Sequence, residues 1–334
     1  MTRYKLIKRI GLAEILLAAL LQGLSVSAAS HYPNKPVRLI VPMPPGGGSD
    51  NVARIIAQRM TESWKEQVVI DNRSGAGGTI GTTVAAKAPS DGYTLLFGAQ
   101  TTLAINPALY KNLPFDPIRD FAPVTLVAYS PQLLAVHPSV QAKGLQEFVA
   151  LAKAAPRQLS YASNGVGTSA HLSFEMFSRE AGIQLIHVPY KGTGPALTDL
   201  IGGQVQTIIG STSAILPHMK SGRARAIAVM TANRSVAMPQ VPTMAESGLP
   251  GFEVKPWFGL LYPAGTPKTV VDKLYSDLRK LLATPDLRQK IAEQGAEVAF
   301  SESPRQFAAY IAAEKTLWAK VVAEVMAGSD STAR

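Results

Sequence analysis

The chain has 334 residues, of which 46% are hydrophobic and 17% are charged, and it contains no cysteine. This composition is typical of a folded protein with one large or two medium-sized domains, and it excludes extensive disorder, disulfide bonds and a thiol nucleophile. The formal net charge is +10, but no Lys/Arg run, no basic stripe with interleaved aromatic residues and no zinc-ligand spacing accompanies it, so we expect no nucleic-acid partner.

The first 29 residues have the three parts of a secretory signal peptide. Four basic residues come first, and they are Arg3, Lys5, Lys8 and Arg9. An apolar run over residues 10–26 follows, and small residues then offer a cleavage site. A membrane anchor is the alternative, but a span needs about 20 uninterrupted apolar residues, and this run contains Glu14 and Gln22. We therefore predict cleavage near Ala28 or Ala29 and a soluble protein in the periplasm.

Removal of the signal peptide changes the charge balance. Residues 1–29 contain four basic residues and one acidic residue, so 29 of the 33 basic and 22 of the 23 acidic residues remain, a net charge of +7. A field of this size could steer an anionic solute, although scattered surface lysines are the simpler explanation. Without cysteine, the mature chain cannot carry a lipid on an N-terminal thiol.

Hydrophobic periodicity predicts alternating strands and helices after the signal peptide. In the first part, strands are predicted over residues 37–41, 68–70 and 93–98, and helices over residues 51–64 and 79–88. In the second part, strands are predicted over residues 133–136, 159–162, 184–188, 205–209 and 226–230, and helices over residues 145–154, 170–181, 195–202 and 214–221. Strands separated by such helices favour right-handed crossovers and a mostly parallel sheet.

The last third of the chain is predicted to be mainly helical. A proline-rich stretch from Pro239 to Pro267 precedes helices over residues 268–283, 285–294 and 304–325, and residues 327–334 are expected to fray. We expect these helices to cover the first lobe, which otherwise has few. The prediction is two α/β lobes, in which residues 30–130 with 231–334 form the first lobe and residues 131–230 form the second.

Two glycine-containing loops, residues 46–50 and residues 164–169, each join a predicted strand to a predicted helix. Glycine lets the backbone approach a ligand closely, and the unpaired N–H groups of a first helical turn favour a bound anion. Both loops are therefore candidate sites for a carboxylate or a phosphate.

Hydroxyl and carboxylate side chains end both loops. Ser49 and Asp50 precede the first predicted helix, and Thr168 and Ser169 precede the second. Their simplest role is N-capping, worth about 1 kcal/mol each, and the alternative is that their hydroxyls bind a ligand. Ionised Asp50 only accepts hydrogen bonds. We expect it to cap the amides of residues 51–54; the alternative is that it accepts from a ligand ammonium or hydroxyl.

No motif for catalysis or nucleotide binding is present. The glycine loop at residues 75–81 fails the G-x-G-x-x-G spacing because Ile80 takes the third glycine position, and neither a Walker sequence nor G-x-S-x-G occurs. This loop could equally contact a ligand or pack tightly. His171 and Glu175 are spaced as two metal ligands but lack a third. We therefore expect a binding protein without metal or cofactor; an exported hydrolase with an unrecognised site is the alternative.

The loops belong to a longer series of motifs that resembles one family. In chain order the motifs are YPNKPVR (32–38), PGGGSD (45–50), NRSGAGG (72–78) with Gly81, APSDGYTL (88–95), NPALY (106–110), DFAPV (120–124), YASNGVGT (161–168), VPYKG (188–192), GFEV (251–254) and PAGTP (263–267). They resemble the Bug family, the periplasmic solute receptors of tripartite tricarboxylate transporters. The resemblance covers essentially the whole chain after the signal peptide.

The resemblance implies a type II periplasmic binding protein fold, with two α/β lobes joined by crossing strands and a ligand cleft between them. It implies a small carboxylate ligand, such as a dicarboxylate, tricarboxylate, amino acid or aromatic acid, held by backbone N–H groups, hydroxyls and water. The residues implied to bind it are Gly46, Gly47, Gly48, Ser49, Asp50, Thr102, Asn164, Gly165, Val166, Gly167, Thr168, Ser169, Tyr190 and Ser211. The implied partners are membrane permease subunits; a sensor kinase is the alternative, and the receptor is expected to be a monomer.

Three departures from the family pattern bear on the ligand. Met43 and Pro45 stand where Phe and Ala are frequent, so the first loop is expected to differ in shape. The small side chains of residues 210–212 leave room at the far end of the ligand, where we expect specificity to reside. Leu103 stands where His is frequent and predicts a more apolar cleft wall that would suit a larger or aromatic acid.

Overall fold

Strands and helices alternate through the part of the chain that the computed structural model describes, residues 32–235 and 238–331, with side chains up to residue 325. The strands are β1 (Val37–Val41), β2 (Val68–Asn72), β3 (Thr94–Ala99), β4 (Phe121–Tyr129), β5 (Gln132–Val136), β6 (Ser160–Ser163), β7 (Ile186–Pro189), β8 (Thr207–Ser211), β9 (Arg225–Val229), β10 (Trp257–Pro263) and β11 (Glu297–Val298). The helices are α1 (Gly48–Trp64), α2 (Thr79–Ala86), α3 (Asn106–Leu109), α4 (Leu145–Ala154), α5 (Ser169–Ala181), α6 (Thr193–Ile201), α7 (Thr212–Lys220), α8 (Lys268–Leu282), α9 (Pro285–Glu293) and α10 (Pro304–Ser331). The predicted signal peptide lies outside the described residues.

The strands form two mixed sheets. The first has the order β11-β4-β10-β3-β1-β2 and the second the order β7-β6-β8-β5-β9. β1 runs parallel to β2 and β3, and β6 runs parallel to β7 and β8. However, β10 is antiparallel to β3 and β4, β11 is antiparallel to β4, and β5 is antiparallel to β8 and β9. The prediction of a mostly parallel sheet is therefore wrong.

The antiparallel pairs follow from how the chain crosses between the sheets. β4 leads through Ser130 and Pro131 directly into β5 of the second sheet, and residues 230–256 return the chain from β9 to β10 of the first. The outgoing and returning segments lie side by side, because Ser130 N donates to Pro256 O at 2.7 Å and Met230 N donates to Gln132 O at 2.9 Å. Two β-sheets, each covered by helices and joined by crossing segments, form the type II periplasmic binding protein architecture that the resemblance implies. We call the six-stranded sheet with its covering helices lobe 1 and the five-stranded sheet with its helices lobe 2.

Strands β4 and β10 were not predicted from hydrophobic periodicity. β4 contains Pro123, and β10 lies within the proline-rich stretch. Proline cannot donate to a β-ladder and is tolerated at irregular positions. The β4–β10 ladder shifts register between Leu260 and Leu261, where Leu261 pairs with Pro123. The irregularity accommodates the proline, and it also removes the regular alternation that would have revealed the strand.

The core of each lobe follows from apolar spacing. β3 and β5 are buried along their whole length, as expected of strands covered on both faces. In α1 the residues Val52, Ile56 and Met60 are buried, as the helical spacing predicts. Helices α8 and α9 contribute to the same core cluster as β1, which confirms that they cover the first sheet.

The last helix contacts both lobes. α10 continues to Ser331, beyond the predicted end at residue 325. Trp318 and Val322 of this helix belong to one core cluster with Phe174 of α5, and Glu324 forms an ion pair with Arg179 at 2.6 Å. The helix therefore covers lobe 1, as expected, and in addition packs against α5 of lobe 2. Within residues 32–235 and 238–331, the structure has no helix with the length and apolarity needed to cross a membrane.

Candidate functional site

The first glycine loop leads into α1 earlier than predicted. The helix begins at Gly48, and its N-cap is Gly47, whose backbone is extended and whose position provides no side-chain cap. Ser49 and Asp50 therefore lie inside the first helical turn, and the prediction that they precede the helix is wrong. Gly46 has φ +81, a left-handed conformation that favours glycine.

The Asp50 carboxylate fixes the shape of this loop. Its Oδ2 accepts hydrogen bonds from Gly46 N at 2.9 Å and Arg54 Nε at 2.8 Å, and its Oδ1 accepts from Asn72 Nδ2 at 2.9 Å. The prediction that it caps the amides of residues 51–54 is wrong, because the carboxylate reaches back to the loop. Burial alone would raise the pKa of Asp50, but the hydrogen bonds from Arg54, Gly46 and Asn72 outweigh it and hold this pKa below its ordinary value.

The first turn of α1 presents unused backbone donors. The N–H groups of Gly48 and Ser49 lie at helix positions that have no intrahelical acceptor. In the described part of the chain, the half-buried Ser49 hydroxyl also has no hydrogen-bond partner. The macrodipole adds a positive partial charge at this end of the helix. The turn is therefore suited to an anion.

The N-terminus of α1 in lobe 1 faces the N-terminus of α7 in lobe 2. A Cβ atom built on Gly48 would lie 3.1 Å from Ser213 Oγ and 4.0 Å from Ser211 Oγ. Ser211 is the N-cap of α7, and its hydroxyl accepts from Ser213 Oγ at 3.2 Å. Two helix N-termini and at least two hydroxyls thus converge between the lobes, without a basic side chain in either segment.

The second predicted loop, residues 164–169, joins β6 to α5. Thr168 is the N-cap of α5, as predicted, and its Oγ1 accepts from His171 N at 3.4 Å. Ser169 lies in the first helical position, so the prediction that it precedes the helix is wrong. Asn164 and Val166 are exposed, and Val166 retains 68% of its accessible surface.

Several N–H groups of this loop are already engaged. Gly165 N donates to Ser163 Oγ at 3.2 Å, and Gly167 N donates to His171 Nδ1 at 3.2 Å. Thr168 N donates to Gly165 O at 3.3 Å. These amides hold the loop together, so the backbone donors left for a ligand are the N–H groups of Asn164, Val166 and Ser169.

The second loop also contacts lobe 1. A Cβ atom on Gly167 would lie 2.5 Å from Leu109 Cδ1, which explains why this position has no side chain. Ser169 Oγ donates to Gln100 Oε1 at 3.3 Å, and Gln100 Nε2 donates to Glu314 Oε2 at 2.7 Å. The lobes therefore touch at both loops.

A cavity of about 330 Å³ lies behind the crossing segments, next to α10. Glu314 lies in its wall and also accepts from Trp257 Nε1 at 2.9 Å and Trp318 Nε1 at 3.3 Å. Gln100 lines this cavity as well, but none of the residues predicted to bind the ligand does. The cavity is thus separate from the two glycine loops.

Two side chains predicted at the cleft wall are buried in lobe 1. Thr102 has no exposed surface, and its Oγ1 donates to Ala99 O at 3.1 Å. Its Cγ2 would lie 2.5 Å from a Cβ on Gly78, so Thr102 packs beneath the glycine loop at residues 75–78. Leu103 is fully buried and packs against Gly98. The prediction that Leu103 makes the cleft wall more apolar is wrong, because its side chain points into the core.

Tyr190 follows β7, and its backbone carbonyl lies 3.5 Å from a Cβ built on Gly165. The Tyr190 hydroxyl donates to Asp199 Oδ2 at 2.6 Å. Burial, together with this hydrogen bond, raises the pKa of Tyr190 to about 12. The phenol therefore remains neutral and oriented at neutral pH.

No metal cluster is formed by the side chains in the described ranges, where no three His, Asp or Glu residues are placed to hold an ion. His171 and Glu175, the pair with metal-ligand spacing, have other partners. His171 Nδ1 accepts from Gly167, and Glu175 accepts a hydrogen bond from the Tyr161 hydroxyl. The four-residue spacing of His171 and Glu175 therefore serves hydrogen bonds to Gly167 and Tyr161, which hold the second loop and the residue behind it in place.

Two α/β lobes joined by crossing segments, with helix N-termini facing each other between them, define a solute receptor of the periplasmic binding protein class. The chain belongs to the TctC family, because the family model described as "Tripartite tricarboxylate transporter family receptor" matches residues 52–326. The family and its solved structures are solute receptors, which confirms both the resemblance and the expectation that the chain is not an enzyme.

Individual relatives match over nearly the whole chain. Protein BugT of Bordetella pertussis (strain Tohama I) is 39% identical over 298 residues, which cover 89% of this chain and 91% of BugT. The structure of R. palustris Rpa4515 with adipate has a TM-score of 0.83 at 37% identity and covers 88% of this chain and 98% of that chain. MatC of Rhodopseudomonas palustris, solved with bound malate, has a TM-score of 0.78 at 34% identity and covers 87% of this chain and 100% of that chain.

Sequence reasoning missed three residues at the contact between the lobes: Gln100, Ser213 and Gly295. Gln100 directly follows β3, the edge at which polar residues of parallel strands gather, so its position was a usable signal. Ser213 lies two residues after the predicted Ser211. Gly295 follows α9, and its role depends on a contact with α7 that no local pattern encodes.

Proposed function

We propose that this chain is a periplasmic receptor that captures a small carboxylate between its lobes and delivers it to the permease of a tripartite tricarboxylate transporter. The observation that carries the proposal is the convergence of the α1 and α7 N-termini, where Gly48 meets Ser211 and Ser213. Two positive helix ends, with the unused N–H groups of the first turn of α1 and the serine hydroxyls of both segments, stabilise a carboxylate without a basic side chain.

Direct contacts to the ligand come from the open parts of both loops. On lobe 1 these are the backbone of Gly46 and Gly47 and the first turn of α1. On lobe 2 they are Asn164, Val166, the backbone N–H of Ser169, Tyr190 and Ser211. Asp50, Thr102, Gly165, Gly167 and Thr168 shape the site from behind, because their polar groups or packing are used within the loops.

The ligand class is a dicarboxylate or a closely related acid. Adipate and malate, the acids named with Rpa4515 and MatC, each carry two carboxyl groups. Helix N-termini from both lobes offer a donor set to each end of such a molecule. Micromolar affinity corresponds to about 8 kcal/mol, which several hydrogen bonds to charged groups can supply at about 1.5 to 3 kcal/mol each.

Binding is coupled to closure of the lobes. Lobe 1 moves against lobe 2, and the hinge consists of the crossing segments. A ligand that contacts both lobes stabilises the closed state by its differential affinity. The permease then recognises the closed form. The receptor acts as a monomer, after signal-peptide cleavage near Ala28 or Ala29.

A thermal-shift screen tests the ligand class. The mature protein is mixed with dicarboxylates, tricarboxylates, amino acids, aromatic acids, and sugars as controls. A ligand at 100 times its Kd should stabilise the fold by about 2.7 kcal/mol. At least one carboxylate should raise the melting temperature. A response to sugars alone would show that the ligand class is wrong.

Gly47→Val tests whether the first loop touches the ligand. Gly47 has an extended backbone, and a Cβ there would meet only Pro44 O at 3.8 Å, so the fold should accept valine. The matched control is Gly144→Val, because Gly144 is also an extended N-cap glycine with open space around it. Gly47→Val should lose binding while the control retains it. Equal affinity in both variants would place the ligand elsewhere.

A further inference from the structure

Four aromatic rings form a continuous stack beneath residues 164–169. The ring centroids of His171 and His187 are 4.3 Å apart, and the two ring planes differ by 22°. The centroids of His187 and Tyr161 are 4.6 Å apart at an angle of 13°, and those of Tyr161 and Phe174 are 3.8 Å apart at an angle of 4°. Tyr161 and Phe174 are 1% and 0% exposed. The stack is thus fixed in the core at one end and reaches the loop at the other, so the two imidazoles have little freedom to rotate.

Both imidazoles are connected to glycines of the loop. His171 Nδ1 accepts from Gly167 N at 3.2 Å. His187 Nε2 lies 2.7 Å from Ser163 Oγ, which in turn accepts from Gly165 N at 3.2 Å. An imidazole nitrogen accepts a hydrogen bond only when it carries no proton. The loop geometry therefore requires His171 as the neutral tautomer with its proton on Nε2.

We propose that His171, held in place by His187, is a positioning residue of the carboxylate site, and that it keeps the second loop in its binding conformation only while its Nδ1 is unprotonated. This inference rests on the proposed function. His171 lies behind the loop and does not touch the ligand. It acts through Gly167, whose position sets where the neighbouring N–H groups of Val166 and Ser169 point.

Burial keeps His171 neutral near pH 7, and three titratable groups surround its ring. They are His187 of β7, Tyr161 of β6 and Glu175 of its own helix. Burial lowers the pKa of His171 and outweighs the opposing charge of Glu175. Burial, and then the charge of His171, lowers the pKa of His187 to about 4. Glu175 is itself engaged by the Tyr161 hydroxyl.

Protonation has two opposite effects on the site. It places an N–H on His171 against the N–H of Gly167, which breaks the hydrogen bond that shapes the loop. It also adds a positive charge that attracts the carboxylate at longer range. The loss of loop geometry dominates, because donors must lie within about 3 Å of the carboxylate oxygens to bind them. Acid should therefore weaken binding.

Two substitutions distinguish the effect of the hydrogen-bond acceptor at Nδ1 from the effect of the stacked ring. His171→Asn places a non-titrating acceptor oxygen close to the position of Nδ1, and His171→Phe keeps a stacking ring without an acceptor. His137→Asn is the control, because His137 pairs with Ser139 and has no part in the site. Affinity for malate and adipate is measured by calorimetry between about pH 8 and pH 4, a range that extends below ordinary histidine titration because burial lowers the pKa of His171.

At pH 8, His171→Asn and His137→Asn should bind within about threefold of the wild type, and His171→Phe should bind about tenfold or more weakly, since one hydrogen bond of ordinary strength is lost. As the pH falls, wild-type affinity should decrease more than that of His171→Asn, whose profile reports protonation of the ligand alone. Unchanged affinity in His171→Phe, or identical wild-type and His171→Asn profiles, would overturn the proposal while leaving the proposed function intact.

A spectroscopic measurement needs no ligand and is independent of folding in the variants. The 15N shifts of the His171 ring in the wild-type protein at neutral pH should show a proton on Nε2 and none on Nδ1. A proton on Nδ1 would contradict the inference. If the wild type binds no carboxylate at any pH, the proposed function fails, and the role of His171 in a carboxylate site fails with it.

Discussion

Gly295, just after α9 in lobe 1, lies directly against Ser213 in the first turn of α7 in lobe 2. A Cβ atom on Gly295 would stand 2.5 Å from Ser213 N. Gly48 approaches the same serine from α1. Ser213 is therefore enclosed by two glycines from the other lobe, and the absence of side chains at both positions permits the lobes to meet. In the proposed closure of the lobes this contact belongs to the closed state, so substitutions at these glycines test that closure.

Gly48→Leu should prevent closure without damaging the fold. Gly48 has an ordinary helical conformation, and leucine is a good helix former, so stability should not fall. The new side chain would collide with the first turn of α7. Affinity for the carboxylate should drop about 100-fold, which corresponds to about 2.7 kcal/mol.

The matched control for this variant is Gly194→Leu. Gly194 also lies in the first turn of a helix, α6, but a Cβ there meets nothing within 4 Å. Calorimetry and unfolding curves are recorded for both proteins. If Gly48→Leu bound as tightly as Gly194→Leu, the contact between α1 and α7 would not be part of the ligand-bound state.

Asp50→Asn should destabilise the protein, because the new side-chain NH2 group would face N–H groups that need an acceptor. All three groups bonded to the carboxylate are N–H groups. The cost should be about 1 to 3 kcal/mol, measured by urea unfolding. Asp272→Asn is the control, since its exposed pair with Lys268 should contribute less than about 1 kcal/mol. A variant of Asp50 with full stability but altered ligand preference would instead identify Asp50 as a direct ligand contact.

Features of the site that depend on residues close together in the sequence could be predicted, and features that depend on residues far apart in the sequence could not. The helices and the two loop positions were predictable, because apolar spacing and glycine placement are local signals. The role of Asp50 was not, since its partners Gly46 and Arg54 are near in sequence but Asn72 belongs to β2. Thr102 was assigned to the cleft by resemblance, whereas its burial beneath Gly78 depends on packing between two loops. Strand β4 was not predictable because it contains Pro123. The register shift that accommodates this proline is visible only when β4 is paired with β10.

The stability of the protein should decrease in mild acid because of His187. Its folded-state pKa is about 4, below the value of about 6.5 in an unfolded chain. The unfolded state therefore binds the proton first, and stability is lost progressively as the pH falls from about 6.5 to about 4, by at most about 3 kcal/mol and by less to the extent that solvent screens this half-buried ring. Above this window the contribution is fully present.

His187→Gln isolates this effect, because the glutamine can still pair with Ser163 but does not titrate. Urea unfolding at about pH 7 and pH 4.5 gives the stability change of each protein. Carboxyl groups titrate equally in both, so the wild type should lose more stability than the variant. Equal losses would show that His187 is not buried in its neutral form.

Gln100→Ala should weaken the link between the second loop and α10. Gln100 is 3% exposed and joins Ser169 to Glu314. Its removal leaves buried polar groups without partners, so affinity should fall about tenfold, or about 1.4 kcal/mol. Ser169→Ala, which removes only the longer hydrogen bond, should have a smaller effect. The reverse order of the two losses would contradict this role of Gln100.

Calorimetric titration tests most directly whether the protein binds a carboxylate between its lobes. The mature protein is titrated with adipate, with the uncharged diamide of adipate, with malate and with a broader panel of carboxylates. The diamide keeps the shape of adipate and removes both charges. Saturable one-to-one binding in the micromolar range by at least one carboxylate, with no binding of the diamide, is the expected result. If no carboxylate binds, or if the diamide binds as tightly as adipate, then the site between α1 and α7 is not a carboxylate site.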